Sequence, residues 1–187
     1  MIMIERESYG NVTDHKKRIA KAFKKELEYK PFDKISVVDI MDRAGIRRQT
    51  FYNHFIDKFE LLDWIFETEL HEHITNNLNY ITGFQLLDEL LFYFEQNKLF
   101  YAQLFAIKDQ NDFYSYFGNY CLILIEKIIS EIEQKENLSI ASDYHEFLKY
   151  YHGRALANII KTYVTTNDFY PQTKYIKEII TLSLKGN

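Results

Sequence analysis

Chain-breaking residues are scarce here: 6 Gly and 2 Pro are spread over 187 residues. So few punctuating residues leave little room for the many turns of a strand-rich fold, and they favour long helices with short connections. Apolar residues recur at helical spacing almost throughout. The first such stretch, about Asp14 to Tyr29, places Ile19, Ala20, Phe23 and Leu27 on one face and Lys16, Lys17, Arg18, Lys24 and Lys25 on the others. Thr13 is its expected N-cap and Pro31 its stop, with Phe32–Ile35 as a short anchored connector.

A second helix begins at Ser36, where Ser-x-x-Asp ending on Asp39 reads as a capping box, and it ends at Gly45. Val37, Ile40, Met41 and Ala44 line its inner face. Within three residues a further helix starts, Arg47 to Phe55, with Ile46, Phe51 and Phe55 turned inward. Two short amphipathic helices joined by a tight glycine turn form a helix-turn-helix candidate. A fourth helix follows from about Asp57, carrying Leu61, Leu62, Ile65 and Phe66 inward.

Beyond Ile74 the pattern stays helical. Leu87, Leu90, Leu91 and Phe94 define one face, and Leu99, Phe100, Leu104 and Phe105 the next. The stretch from Asp112 to about Lys135 is apolar nearly all round at Tyr120–Ile125, as expected of a buried helix. Asp143 to Thr165 carries a broad stripe that includes Phe147, Tyr151, Ile160 and Tyr163. After Pro171 a last helix carries Tyr175, Ile176, Ile179, Ile180 and Leu184. The fold class is all-α: an N-terminal three-helix helix-turn-helix domain followed by a larger helical body.

Charge is divided along the chain. Residues 1–60 carry 13 basic and 10 acidic side chains, the remainder 10 basic and 17 acidic. A basic end on an acidic body fits a module that meets a polyanion, joined to one that meets something else. The longest apolar run, Tyr120–Ile125, is far short of the roughly 18 residues a membrane span requires, so no membrane partner is expected. One cysteine, Cys121, precludes an internal disulfide, and the start of the chain has no export-signal pattern; a cytoplasmic protein is expected.

A helix-turn-helix lays its second helix in the major groove, where exposed side chains reach base edges or phosphates. With Phe51 and Phe55 inward, Arg47, Arg48, Gln49, Thr50, Tyr52, Asn53 and His54 are left to face outward. Arg suits a guanine edge, Gln or Asn an adenine edge, and Thr or Tyr a thymine methyl or a phosphate.

The run Ala44-Gly45-Ile46, then Thr50-Phe51-Tyr52-x-His54-Phe55, then Lys58-x-x-Leu61-Leu62 resembles the DNA-binding domain of the TetR family of bacterial regulators. The resemblance implies a DNA-binding domain at residues 13–62 and a helical effector-binding and dimerisation domain at 63–187. It implies that Tyr52 and His54 touch backbone or bases, that Thr50 and Lys58 hold phosphates, and that Ser36 sits where helix amides also meet a phosphate. Arg47 departs from the Ser or Thr that commonly caps the recognition helix, which leaves a weaker cap and an arginine available to DNA. The implied partners are a double-stranded, near-palindromic operator bound as a homodimer, with the interface at about 143–165 and 172–185, and a small-molecule effector. Arg47-Arg48-Gln49-Thr50-Phe51-Tyr52 with Leu62-Asp63-Trp64-Ile65-Phe66 is further similar to the branch of dihydroxyacetone kinase operon activators, for which the implied effector is a kinase-subunit-like co-regulator protein.

Glu67 and His71, four apart, share one helix face, but His73 points elsewhere and no third ligand is in helical register, so no metal is expected. His145 and His152, seven apart, read as core or interface polar groups, and Cys121 as a small buried hydrophobe. Gly153 and Ala157 permit close helix approach, either by a partner or within the chain. With no nucleophile elbow, phosphate loop or zinc-protease motif, neither an enzyme nor a cofactor is expected. The rival reading is a helical protein-interaction module with little DNA binding of its own.

Overall fold

In the computed structural model, backbone is described for residues 3–70, 77–107, 111–166 and 170–185; side chains are described from residue 14 onward and, in the third stretch, from 113. Among these residues the secondary structure is helical: α1 (Met3–Leu27), a 3₁₀ turn (Phe32–Lys34), α2 (Val37–Ala44), α3 (Arg48–Tyr52), α4 (Lys58–Leu70), α5 (Gly83–Gln96), α6 (Lys98–Ala106), α7 (Asn111–Glu136), α8 (Ser142–Thr166) and α9 (Thr173–Lys185). The all-α expectation holds. Contacts divide the chain into two compact units, Met1–Thr68 and Glu69–Asn187, here called the head and the body.

In the head, Ile19, Phe23 and Leu27 of α1 pack with Ile40, Met41, Phe51, Phe55, Leu61 and Leu62, all buried. The α2 boundaries follow local chemistry. Ser36 Oγ accepts from the Asp39 amide at 3.2 Å while the Ser36 amide donates to the Asp39 carboxylate at 2.8 Å, closing the capping box. Gly45 ends the helix in the left-handed region at φ 64°, a conformation glycine adopts without steric cost.

Two boundaries differ from the sequence reading. Helix α1 extends from Met3, so Thr13 lies within it rather than at its start; the Thr13 side chain is outside the described residues. Gly10 inside a helix costs only about 1 kcal/mol relative to alanine, too little to end one by itself. Helix α3 stops at Tyr52 rather than Phe55: the chain tightens there, the His54 amide bonding the Phe51 carbonyl three residues back at 2.9 Å. The chain then opens for α4, whose first amides, Phe59 and Glu60, bond the Asp57 carboxylate at 2.8 and 3.0 Å.

In the body, α7 and α8 form the central pair. Cys121, Leu124, Ile125, Ile128 and Ile129 are buried on α7 and Leu148, Leu156, Ala157 and Ile160 on α8. A Cβ on Gly153 would stand 2.7 Å from Leu122 Cδ2 and 3.2 Å from its Cα, so this glycine serves packing within the chain. Rings of Phe94, Tyr101, Phe105, Phe113 and Phe117 cluster beside them, with Phe94 and Tyr101 centroids 4.4 Å apart. Tyr101 hydroxyl meets that of Tyr93 at 2.6 Å, which in turn bonds Glu69, so the buried phenols are paired. Two apolar expectations fail locally. Leu99 is 68% exposed, and Ile123 is 48% exposed, so α7 is not buried all round at Tyr120–Ile125.

Candidate nucleic-acid interface

Helix α3 is five residues long and has no side-chain cap of its own, since Arg47 at the N-cap position makes no capping bond. Helices that short are marginal alone, so its placement is imposed by tertiary anchors. Phe51 is fully buried and meets Phe55 at 5.6 Å between centroids; Phe55 meets Trp64 at 5.9 Å. Lys16 of α1 lies over both of these last rings, at 5.2 and 5.5 Å, a cation–π contact on the inner side of the motif.

With that face anchored, Arg47, Arg48, Gln49, Tyr52 and Asn53 are exposed together, and Thr50 is half-buried beside them. Arg48 Nη2 donates to the Tyr52 hydroxyl at 3.1 Å and its guanidinium lies 5.6 Å from the ring centroid. The two side chains therefore share one surface, four residues apart along one helix face. A guanidinium held this way presents a planar donor fork with less freedom to lose on binding.

The remaining expected site residues stand apart from this cluster. His54 is half-buried, its ring 5.9 Å from that of His15 on α1, and burial with the charges of His15 and Lys16 pushes its pKa down. It is less outward-facing than the sequence suggests. Ser36 commits its own amide and hydroxyl to Asp39, the hydroxyl donating at 2.6 Å. Lys58 directs its ammonium inward: Nζ donates to the Phe32, Ile35 and Asp33 carbonyls at 2.7, 3.0 and 3.4 Å, and desolvation lowers its pKa.

Three residues that position the site were not picked out from sequence. Arg18 of α1 donates to the Ala44 carbonyl at the end of α2 at 3.1 Å, next to the glycine turn. Glu26 is buried and accepts from Arg43 Nε at 2.5 Å. Lys30 bonds Asp39 at 2.6 Å, tying the end of α1 to the capping box. Only the i, i+4 spacing of Glu26 and Lys30 signalled any of this; the other partners are distant in sequence.

Residues 19–65 match the family model described as bacterial regulatory proteins, tetR family, and residues 82–185 match that of a transcriptional regulator C-terminal region. The chain belongs to the TetR family. TetR-family proteins are transcriptional regulators, not enzymes. The HTH-type dhaKLM operon transcriptional activator DhaS of Lactococcus lactis subsp. lactis (strain IL1403) is 43% identical over 133 residues, 69% of this chain. That match spans 65% of the relative's length. A solved structure of a dihydroxyacetone kinase operon activator DhaS superposes with TM-score 0.80 at 35% identity, over 92% of this chain and 95% of that one. A TetR transcriptional regulator from Streptococcus agalactiae 2603V superposes with TM-score 0.63 at 22% identity, over 98% of this chain and 99% of that one, and shares the fold.

Among the described residues no group of three potential ligands stands close enough to hold a metal, while His71 and His73 lie outside them. His145 and His152 face different elements: His145 sits between Glu126 and Glu133 of α7, at 3.1 and 3.0 Å, and His152 bonds Ser183 of α9 at 2.8 Å. Burial pushes the Cys121 thiol well above its ordinary pKa, so it is no nucleophile. No described helix is long and apolar enough to cross a membrane.

Proposed function

We propose that this TetR-family regulator binds a near-palindromic double-stranded operator as a homodimer and controls a dihydroxyacetone kinase operon. The observation that carries the DNA contact is the exposed cluster Arg47, Arg48, Gln49, Tyr52 and Asn53 above a buried Phe51–Phe55 anchor. In this reading the DNA-binding domain spans residues 13–62 and the effector-binding and dimerisation domain residues 63–187. The operon assignment rests on the 43%-identical relative, an activator of the dhaKLM operon, and on the 35%-identical solved structure of a dihydroxyacetone kinase operon activator.

Homodimerisation is supported by apolar side chains left in water on the last two helices. Phe147, Tyr150 and Tyr151 of α8 and Tyr175, Ile179 and Leu182 of α9 are each more than half exposed. Large contiguous apolar patches on a soluble protein mark interaction surfaces. Recognition helices of such a dimer enter successive major grooves, about one helical turn apart. The effector, a small molecule or a kinase-subunit-like co-regulator protein, acts by binding one spacing of the two heads better than the other.

Fluorescence anisotropy with duplexes from upstream of its own and neighbouring genes tests this, run at several salt concentrations against a scrambled duplex. Preference for one fragment, with affinity falling steeply as salt rises, is the expected result. Equal weak binding to both duplexes overturns it in favour of a protein-interaction module.

A further inference from the structure

Charge along α7 and α8 runs against the balance of the body. Beyond Glu60 the chain carries 17 acidic and 10 basic side chains, yet α7 is uncharged from Phe113 to Ile125 and α8 has no acid from Phe147 to Thr166. The charged residues in that stretch of α8 are Lys149, Arg154 and Lys161. Lys149 is paired with Glu126 and Glu146. Among the described residues no carboxylate pairs with Arg154 or Lys161.

Both of these cations are held across the seam between the two helices. A Cβ on Gly118 of α7 would stand 2.5 Å from Arg154 Nη1 and 3.6 Å from its Cζ. Glycine inside a helix is less stable than alanine, and the room it leaves here is taken by an exposed guanidinium. Lys161 Nζ lies 4.7 Å from the centroid of the Tyr114 ring. The two cations are seven residues apart, about 10 Å along one face of α8. Ile123 adds an exposed apolar side chain to α7.

Helix α9 packs elsewhere on α8, through Tyr144 and His152, each bonded to Ser183. A second copy related by a two-fold axis through the Arg154–Lys161 band would bring the same acid-free band, setting cation against cation. A continuous polyphosphate would meet the body's excess of acids. Two carboxylates about 10 Å apart, as on successive turns of a protein helix, match both cations. We infer that Arg154 and Lys161 form a docking surface for an acidic segment of a partner protein. The inference deepens the protein-effector reading proposed above and rests on it, naming the face such an effector occupies.

The test uses the full-length protein, an oligoglutamate of about twelve residues, long enough to span both cations, and a water-soluble carbodiimide. This reagent joins a lysine amine to a carboxylate in contact with it, and mass spectrometry locates the peptide adducts. Lys174, exposed and likewise over a tyrosine ring, at 5.9 Å, is the reference. Lys161 is half-buried, yet it is expected to gain adducts about threefold or more over Lys174, because Arg154 holds a second carboxylate beside it. Arg154→Ala is expected to bring that ratio to about one. Gly118→Ala, which displaces the guanidinium without removing it, is expected to fall between.

A wild-type ratio near one, or a ratio unchanged by Arg154→Ala, overturns the inference. So does a dimer that Arg154→Ala dissociates in sedimentation, which would assign the band to a second copy. Added mixed-sequence duplex that suppresses adducts at Lys161 more than at Lys174 would assign it to phosphates instead. The adduct ratio is read without DNA, so a protein that selects no operator defeats the DNA-binding reading and leaves the docking result standing.

Discussion

Glu26, buried on α1, accepts from the Arg43 Nε of α2 at 2.5 Å, and this pair joins the two helices on which the rest of the head is built. Arg43 lies 5.2 Å from the Tyr29 ring centroid, while Lys30 approaches the same carboxylate at 3.6 Å and bonds Asp39 at 2.6 Å. One buried acid thus collects two cations, and the second cation hands the connection on to the α2 cap. The head is held by polar bonds at its edge as well as by the Phe23–Ile40–Phe51 core.

Removing one member of a buried pair strands the other, which costs more than replacing the acid by a neutral isostere. Arg43→Ala is therefore expected to lower the head's melting temperature more than Glu26→Gln, whose amide still offers an oxygen to Arg43. The double variant is expected to recover part of the Arg43→Ala loss, as residues in one network couple. Thermal unfolding followed by circular dichroism checks the order; equal effects of the two single variants would show that the pair is solvated.

Asp39 gives a pH-dependent contribution with a defined sign. Its bonds from Lys30 and then from the Ser36 hydroxyl and amide hold the carboxyl well below the ordinary carboxylate range in the folded head. A group whose folded pKa is depressed stabilises fully above its unfolded value, about 3.9, and that contribution disappears as pH falls towards the folded pKa. Wild type is therefore expected to melt above Asp39→Asn at pH 6, with the gap narrowing below about pH 4. A gap independent of pH from 6 to 3 would remove the charge from the explanation.

Gly153 lies where α8 packs on α7, and an added Cβ there would come within 2.7 Å of a Leu122 methyl and 3.2 Å of the Leu122 backbone. The methyl can rotate away; the backbone cannot. Gly153→Ala is expected to destabilise the body by about 1–3 kcal/mol through overpacking, offset slightly by alanine's higher helix propensity. Because the contact is within the chain, sedimentation is expected to show an unaltered oligomeric state. A shifted oligomer with unchanged melting would place Gly153 at a partner instead.

Helix positions and the head's motif were legible because each rests on local signals: Ser36 and Asp39 three apart, Gly45 after Ala44, and Phe51 and Phe55 four apart. Where α1 starts was not, since a threonine before an amphipathic stretch reads as an N-cap whether or not the helix runs on past it. The inward turn of Lys58 was hidden for a different reason. Its partners are main-chain carbonyls more than twenty residues away, and carbonyls carry no sequence signature. Nothing local to His54 signals that His15, 39 residues earlier, lies beside it. The exposed face of α3 was legible in composition, while the Arg48–Tyr52 pairing on it emerges only from the helix geometry.

That pairing yields the most direct test of the interface. The Tyr52 hydroxyl accepts from Arg48 at 3.1 Å, and its ring lies under the same guanidinium. Tyr52 is 46% exposed and contributes little to the core, so Tyr52→Ala is expected to unfold at nearly the wild-type temperature yet lose preferential duplex binding. Tyr52→Phe keeps the ring and removes only the acceptor, so it is expected to fall between the two. If Arg48 reads a guanine edge, Arg48→Ala should cost about 1–3 kcal/mol and relax preference at one base pair of each half-site. Combined with Tyr52→Phe it should lose less than the sum, because the tyrosine acts partly through the arginine. Anisotropy titrations on the selected duplex and its single-base variants read all four quantities. Additive losses, with base preference intact in each variant, would mean that the two side chains meet phosphates independently.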